Sequence, residues 1–187
     1  MEQTRNRIVE AAVRVHETLG PASATVAAVA EAAGVTRLTV YRHFPDQESL
    51  YAACSAHWMA SQAVPDPAAW AAAGGPLERA RAGLSDLYRF YSDGEAMLAR
   101  IFGELEHLPE AVRSQVTSMQ ARYRQALLAP FGPAGRRRRL QAAVGHAMSF
   151  WTWRSLCREQ RLVRRDAVEL MVSLLAVALD GHESRRR

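Results

Sequence analysis

Thr36, Arg37, Thr39, Tyr41, Arg42 and His43 crowd into one short stretch of the chain, "GVTRLTVYRHFPDQESL". On a helix the residues three and four apart are neighbours, so Arg37 and Tyr41 share one row, Leu38 and Arg42 the next, and Thr39 and His43 a third. Val40 and Phe44 form a separate apolar row that can dock on a core. The polar rows can then do chemistry with a partner. A helix of this size enters the major groove of B-DNA, where Arg pairs with guanine O6 and N7, and Leu or a Thr methyl meets the thymine methyl. Tyr, His and Thr can donate to phosphates.

Such a helix must be held from behind. The sequence predicts a first helix from Thr4 to Leu19, with Ile8, Ala11, Ala12, Val15 and Leu19 on one stripe. Gly20 and Pro21 end it. Thr25 can cap a second helix, "VAAVAEAA", which stops at Gly34; Thr36 can cap a third, and Pro45 breaks it. The turn "AAGVT" between the two short helices makes a helix-turn-helix, with Gly34 supplying the positive φ and Val35 an apolar plug. The Val40 and Phe44 face should meet Ile8, Ala12, Val29 and Ala30. Asp46 then caps a fourth helix to about Ala63.

The stretch from Thr4 to Leu50, with its "RIVEAA", "VAEAAGVT" and "VYRHFPDQESL" blocks, resembles the N-terminal domain of the TetR/AcrR family of transcriptional regulators. The resemblance implies that Thr25 and Thr36 bond phosphates while capping their helices. It places Arg37, Leu38, Thr39 and Arg42 at base-reading or groove-facing positions, and Tyr41 and His43 at backbone contacts. Two positions depart from the family pattern. Gln47 stands where many relatives carry a Lys against a phosphate, and a neutral amide there releases no counterion. Leu38 stands where a small residue is common, so it either reads a thymine methyl or holds the helix slightly out of the groove.

Beyond Ala63 the chain continues as helix. "VPDPAAWAAAGGP" reads as a connection with one loose turn, followed by helices over about 77–93, 95–107, 109–129, 136–160 and 165–181. The expected fold is all-α with about nine helices. A three-helix DNA-binding domain, 1–45, precedes a larger domain, 46–187, for effector binding and dimerisation, in which 46–63 is a bridging helix. In the last predicted helix Val168, Met171, Val172, Leu175 and Leu179 make one stripe, and Leu170, Leu174, Val177 and Ala178 a second. Apolar residues on two sides imply burial on two sides. A helix-turn-helix regulator reads a palindromic site as a two-fold dimer, and the resemblance points to a homodimer through the last two helices.

The family commonly encloses a small-molecule pocket. Its walls would come from Trp58, Leu87, Tyr88, Tyr91, Met97, Phe102, Met119, Tyr123, Met148 and Trp151, adaptable apolar side chains that suit an apolar or aromatic effector. Glu104, His107 and His146 are polar groups that could orient it.

Charge by itself does not locate the partner. The net charge is +5 and every one of the 24 basic Lys or Arg positions is Arg. Yet residues 1–60 hold five Arg against six acids, and the surplus lies in runs such as Arg136–Arg139 and Arg185–Arg187. The Arg136–Arg139 run reads as a solvated helix start whose cations oppose the helix dipole, so its first turn should fray. There is no Gly-rich phosphate loop, nucleophile elbow or metal-ligand pair, so neither an enzyme nor a cofactor or metal is expected. The "GELEHLPE" cluster of Glu104, Glu106 and His107 matches no ligand spacing. No apolar run is long enough to span a membrane, the start lacks the apolar block of a signal peptide, and two distant cysteines fit a reducing compartment, so a cytoplasmic protein is expected. The expected function is a sequence-specific DNA-binding transcriptional regulator, a repressor released by an effector. The alternatives are a helical small-molecule binder with a lapsed DNA face and a DNA-binding protein without sequence preference.

Overall fold

The computed structural model describes residues 1–180. Arg185–Arg187 lie outside them. The described residues form eleven α-helices and no strands: α1 (Glu2–Leu19), α2 (Val26–Ala33), α3 (Arg37–His43), α4 (Gln47–Ser61), α5 (Pro67–Trp70), α6 (Pro76–Asp93), α7 (Glu95–Gly103), α8 (Glu110–Leu128), α9 (Arg138–Ala147), α10 (Phe150–Arg154) and α11 (Arg164–Asp180). The chain divides into two compact units, residues 1–63 with 94–117, and residues 64–93 with 118 onward.

In the first unit α1 to α4 share a core of small and branched side chains. Ile8, Ala12, Val29, Ala30, Val40 and Phe44 are all buried in it, and Val35 packs against it. The helix starts are capped locally. Thr25 accepts from the Ala28 amide at 3.1 Å, Thr36 from Thr39 at 3.2 Å and Asp46 from Ser49 at 2.7 Å. Each such cap contributes about 1 kcal/mol. Gly34 adopts the left-handed conformation (φ 63°), and the next amide, of Val35, reaches back to the Ala30 carbonyl at 2.9 Å. A side chain there would carry a conformational penalty of roughly 1 kcal/mol.

Leu19 departs from its predicted stripe: it is 52% exposed. It is the last residue of α1, the chain reverses at Gly20 (φ 87°), and Pro21 and Ala24 of the following turn take up the burial instead. A residue with no apolar reading, His16, is buried in the same region. It stacks on Tyr51, with ring centroids 5.0 Å apart and planes 14° from parallel. The Tyr51 hydroxyl donates to the Pro21 carbonyl.

In the second unit the helix predicted over 136–160 is broken. α9 ends at Ala147, Ser149 turns extended (ψ 134°) and caps α10 by accepting from the Trp151 amide at 3.2 Å, and a π turn, Ser155–Glu159, follows α10. The break is stabilised from α6. Tyr88 donates its hydroxyl to the Ala147 carbonyl at 2.8 Å and Tyr91 to the Met148 carbonyl at 2.7 Å. Both carbonyls stand where the helical ladder is interrupted, so two buried phenols meet two acceptors that a continuous helix would have used internally.

The arginine run also differs from a simple helix start. Arg136 closes a 3₁₀ segment, Ala129–Arg136, which is interrupted at Gly132 (φ 53°). Arg137 is the α9 cap residue, and its guanidinium donates to the Leu179 carbonyl at the end of α11, at 3.0 Å. That uses a cation where α11 carries its negative dipole end. α7 is shorter than predicted, ending at Gly103 before a 3₁₀ turn, Leu105–His107. The loose turn expected in the 64–76 connection is α5, whose start is capped by Asp66.

Candidate nucleic-acid interface

α3 presents the rows read from the sequence. Val40 is 1% exposed and Phe44 2%, whereas Leu38 is 62% and Tyr41 51% exposed. Arg37 and Arg42 are exposed as well, and Thr39 and His43 half-buried. Among the described residues neither arginine makes an ion pair. The free guanidiniums and the phenol therefore point away from the core, with an exposed leucine between them. Nothing in the fold itself uses that leucine.

The two cap threonines sit at the starts of α2 and α3, exposed. Thr36 Oγ1 lies 2.9 Å from Thr39 Oγ1 and also accepts from the Thr39 amide, so the two hydroxyls are oriented by one another. Gln47 is the first residue of α4 and is exposed. Sequence reasoning missed Arg5. Its guanidinium lies 5.0 Å from the centre of the Phe44 ring, a cation–π contact that fixes an exposed cation beside the end of α3. No local pattern announces it, because Arg5 and Phe44 are far apart in sequence.

The turn between α1 and α2 is held by α7. Arg100 donates to the Thr18 carbonyl at 2.8 Å, and Glu104 accepts from the Ala22 amide at 2.8 Å. A Cβ on Gly20 would fall 1.8 Å from Glu104 Oε1. Glu104, read from sequence as a polar group for an effector, is thus engaged with the backbone of this turn. The burial that surrounds His16 holds its imidazole down at about 4, although the Glu104 charge pulls the other way. Burial pushes the neighbouring Cys54 thiol up to about 12, so it is an inert core group.

The residues expected to line an effector pocket are divided. Trp58 and Met97 are buried in the first unit, where Phe102 is half-buried. Trp58 packs against Gly94, where a Cβ would come within 2.8 Å of the indole. Leu87, Tyr88, Tyr91, Tyr123 and Met148 are buried in the second unit, with Met119 half-buried and Trp151 45% exposed. The Tyr88 and Tyr91 hydroxyls are satisfied at the α9–α10 break. Tyr123 differs: it is 3% exposed, its ring lies 5.7 Å from that of Trp70, and among the described residues its buried hydroxyl has no well-aligned hydrogen bond. Burial pushes the Tyr123 phenol up, and the Arg122 guanidinium, 5.5 Å from the centre of the same ring, pulls the other way. His146 is exposed, with Nδ1 3.4 Å from Thr152 Oγ1, and His107 is exposed on its 3₁₀ turn. Among the described residues no group of three or more His, Cys, Asp or Glu could hold a metal ion, and no helix is long and apolar enough to cross a membrane.

With that geometry in place, comparison with known proteins bears on part of the first unit. Residues 8–54 match the family described as bacterial regulatory proteins, tetR family. The likeness to that family covers about a quarter of the chain. The match runs from the α1 core residue Ile8 to Cys54 on α4 and so contains the whole helix-turn-helix. No curated protein sequence matches the chain. Solved structures resemble this chain in fold over nearly its full length. A TetR-like transcriptional regulator from Rhodococcus sp. RHA1 aligns with a TM-score of 0.69 at 17% identity, covering 95% of this chain and 96% of that one. AibR, in complex with isovaleryl coenzyme A and operator DNA, aligns at 0.65 and 19%, covering 92% and 97%. FadR from Bacillus subtilis, in complex with stearoyl-CoA, aligns at 0.62 and 19%, covering 94% and 98%. At these identities the likeness is one of fold.

Proposed function

We propose that this protein is a sequence-specific DNA-binding transcriptional regulator, a cytoplasmic non-enzymatic repressor released from its operator by a small molecule. The observation that carries the reading is the outer face of α3: unpaired Arg37 and Arg42, with exposed Leu38 and Tyr41, on a domain that matches the TetR family. In this reading Arg37, Leu38, Thr39 and Arg42 meet base edges. Thr25, Thr36, Tyr41, His43 and Gln47 meet the backbone, and Arg5 adds a phosphate contact at the end of α3.

Two copies are needed, because one short helix reads too few base pairs. The α11 side chains Leu170, Leu174 and Val177 support that arrangement. They lie on one helix face and are 48%, 37% and 57% exposed, while Val168, Met171, Val172 and Leu175 are buried on the chain's own side. The division of labour is residues 1–45 for DNA and 46–187 for effector and dimer, with 46–63 bridging. Structures of the same fold hold acyl-CoA, and one of them holds operator DNA as well, which supports an effector with an apolar portion. The buried Tyr123 hydroxyl would meet a polar atom of such a molecule. In this reading effector binding moves the bridging helix α4, so the two recognition helices lose the spacing of one DNA turn, ~34 Å. A coupling of about 1–3 kcal/mol is typical of such linkage.

The test is selection of binding sites from random duplexes, followed by titration of the selected site against unselected competitor. A palindromic site bound selectively is the expected result. Binding of all duplexes alike, or of none, sinks the proposal.

A further inference from the structure

The second unit contains a feature that the regulator reading leaves unused. α6 and the start of α11 border a cleft of about 710 Å³, a volume within the range of small-molecule sites. Its walls carry Arg81, Asp86 and Arg89 from α6 and Arg164, Arg165 and Glu169 from α11. Ser85, Ala82 and Val168 complete the lining, so six of the nine side chains around the cleft are charged.

The charges of the cleft do not cancel. Four guanidiniums face two carboxylates, and both carboxylates are already engaged. Glu169 takes a two-pronged pair from Arg81, at 2.7 and 3.1 Å. That bond holds its carboxyl below the usual range. Asp86 accepts from the Trp70 indole and the Asp66 amide, each at 2.9 Å, and from Arg89 at 2.5 Å. Burial pushes the Asp86 carboxyl up, but these donors outweigh it and the net shift is downward. Arg89 also reaches Asp93 at 3.5 Å. Arg164 and Arg165 are exposed and among the described residues make no hydrogen bond or ion pair, although Asp166 lies beside them in the same turn and the Arg165 charge acts on Glu169. Two adjacent planar forks with free N–H groups are suited to paired anionic oxygens, and they bind phosphate in a bidentate way that lysine does not reproduce.

We propose that this cleft binds a small molecule through a diphosphate group, with Arg164 and Arg165 as its primary ligands and the Arg81–Glu169 and Arg89–Asp86 pairs as a fixed frame. The frame touches the aromatic interior where the Trp70 indole donates to Asp86, and occupancy of the cleft requires no DNA.

The experiment is calorimetric titration of the full chain, without DNA, with inorganic diphosphate at fixed ionic strength. Orthophosphate, citrate and ADP serve as comparison ligands. Diphosphate should bind in the submillimolar range and more tightly than orthophosphate or citrate. Arg164→Ser with Arg165→Ser should weaken it at least roughly tenfold, as loss of charge-assisted bonds predicts, while the unfolding temperature of the unliganded protein stays unchanged. Arg138→Ser with Arg139→Ser, equal in charge and outside the cleft, should leave binding intact. ADP binding equal to diphosphate assigns recognition to the free anion, and tighter ADP binding assigns it to a nucleotide-like conjugate; either supports the site. Three results overturn it: no binding at millimolar diphosphate, citrate binding more tightly, or equal losses in the two double variants. A uniform loss of DNA affinity in the Arg164 and Arg165 variant, with no diphosphate binding, would instead make the cleft a backbone contact.

Discussion

Two helix faces of this protein are exposed without an intramolecular reason, and their chemistry is opposite. α3 presents Arg37, Tyr41 and Arg42 around Leu38, while α11 presents Leu170, Leu174 and Val177. A polar, cationic face loses little by staying in water and gains by meeting phosphates, so its partner is wet and its affinity falls with salt. An apolar face gains by leaving water, and its association is nearly indifferent to salt. The difference teaches that exposure alone says little; what is exposed indicates whether the partner is a polyanion or a second protein surface.

The largest effect is expected on the α11 face. Leu170→Glu with Leu174→Glu should cost the dimer about 4 kcal/mol or more, taking ~1 kcal/mol for each of four partly exposed leucines before any cost of burying charge. Sedimentation should show a monomer, and operator affinity should fall with it. An unchanged dimer would remove α11 from the interface and break the contrast.

Acid should separate the two faces next. His16 is neutral in the fold, with its imidazole held down at about 4 by burial, against 6.5 in the unfolded chain. Between those values the unfolded state binds the extra proton, so stability is complete above about pH 6.5 and declines as pH falls toward 4. The full loss is about 3 kcal/mol by linkage. His16→Gln should flatten this limb in urea titrations across that range. The exposed α11 leucines and valine carry no titratable group, so dimer strength should not follow the same curve.

On α3, Arg37→Ala should weaken operator binding by ~1–3 kcal/mol and relax one base position. Equal losses on every sequence would reduce Arg37 to a backbone contact. The smallest effect sharpens the comparison further. Gln47→Lys should steepen the dependence of log affinity on log salt by about 0.9 per subunit, one added phosphate contact each. The same substitution should leave the dimerisation constant unmoved.

How much of this was legible depended on the range of the interactions concerned. The three cap residues Thr25, Thr36 and Asp46, the Gly34 turn and the buried row of Val40 and Phe44 all follow from neighbours within four positions. The break at Ser149 was only half legible. Serine ahead of "FWTW" is a cap signal, but a long helix was the simpler pattern, and the acceptors it exposes are matched by tyrosines far away on α6. The same distance hid the cation–π contact of Arg5 with Phe44.

What the amino-acid order determined without coordinates is the helical class, the capped helix α3 with its buried Val40 and Phe44 row, and the two-sided apolar character of α11, because propensity, capping and periodicity are written locally. Folding in three dimensions decided the rest. It placed His16 inside and Leu19 outside, engaged Glu104 with a backbone turn, buried the Tyr123 phenol, and brought the arginines of α6 and α11 to one cleft. Each of those outcomes depends on which distant groups meet, and burial and pairing energies are properties of the assembled neighbourhood rather than of any segment.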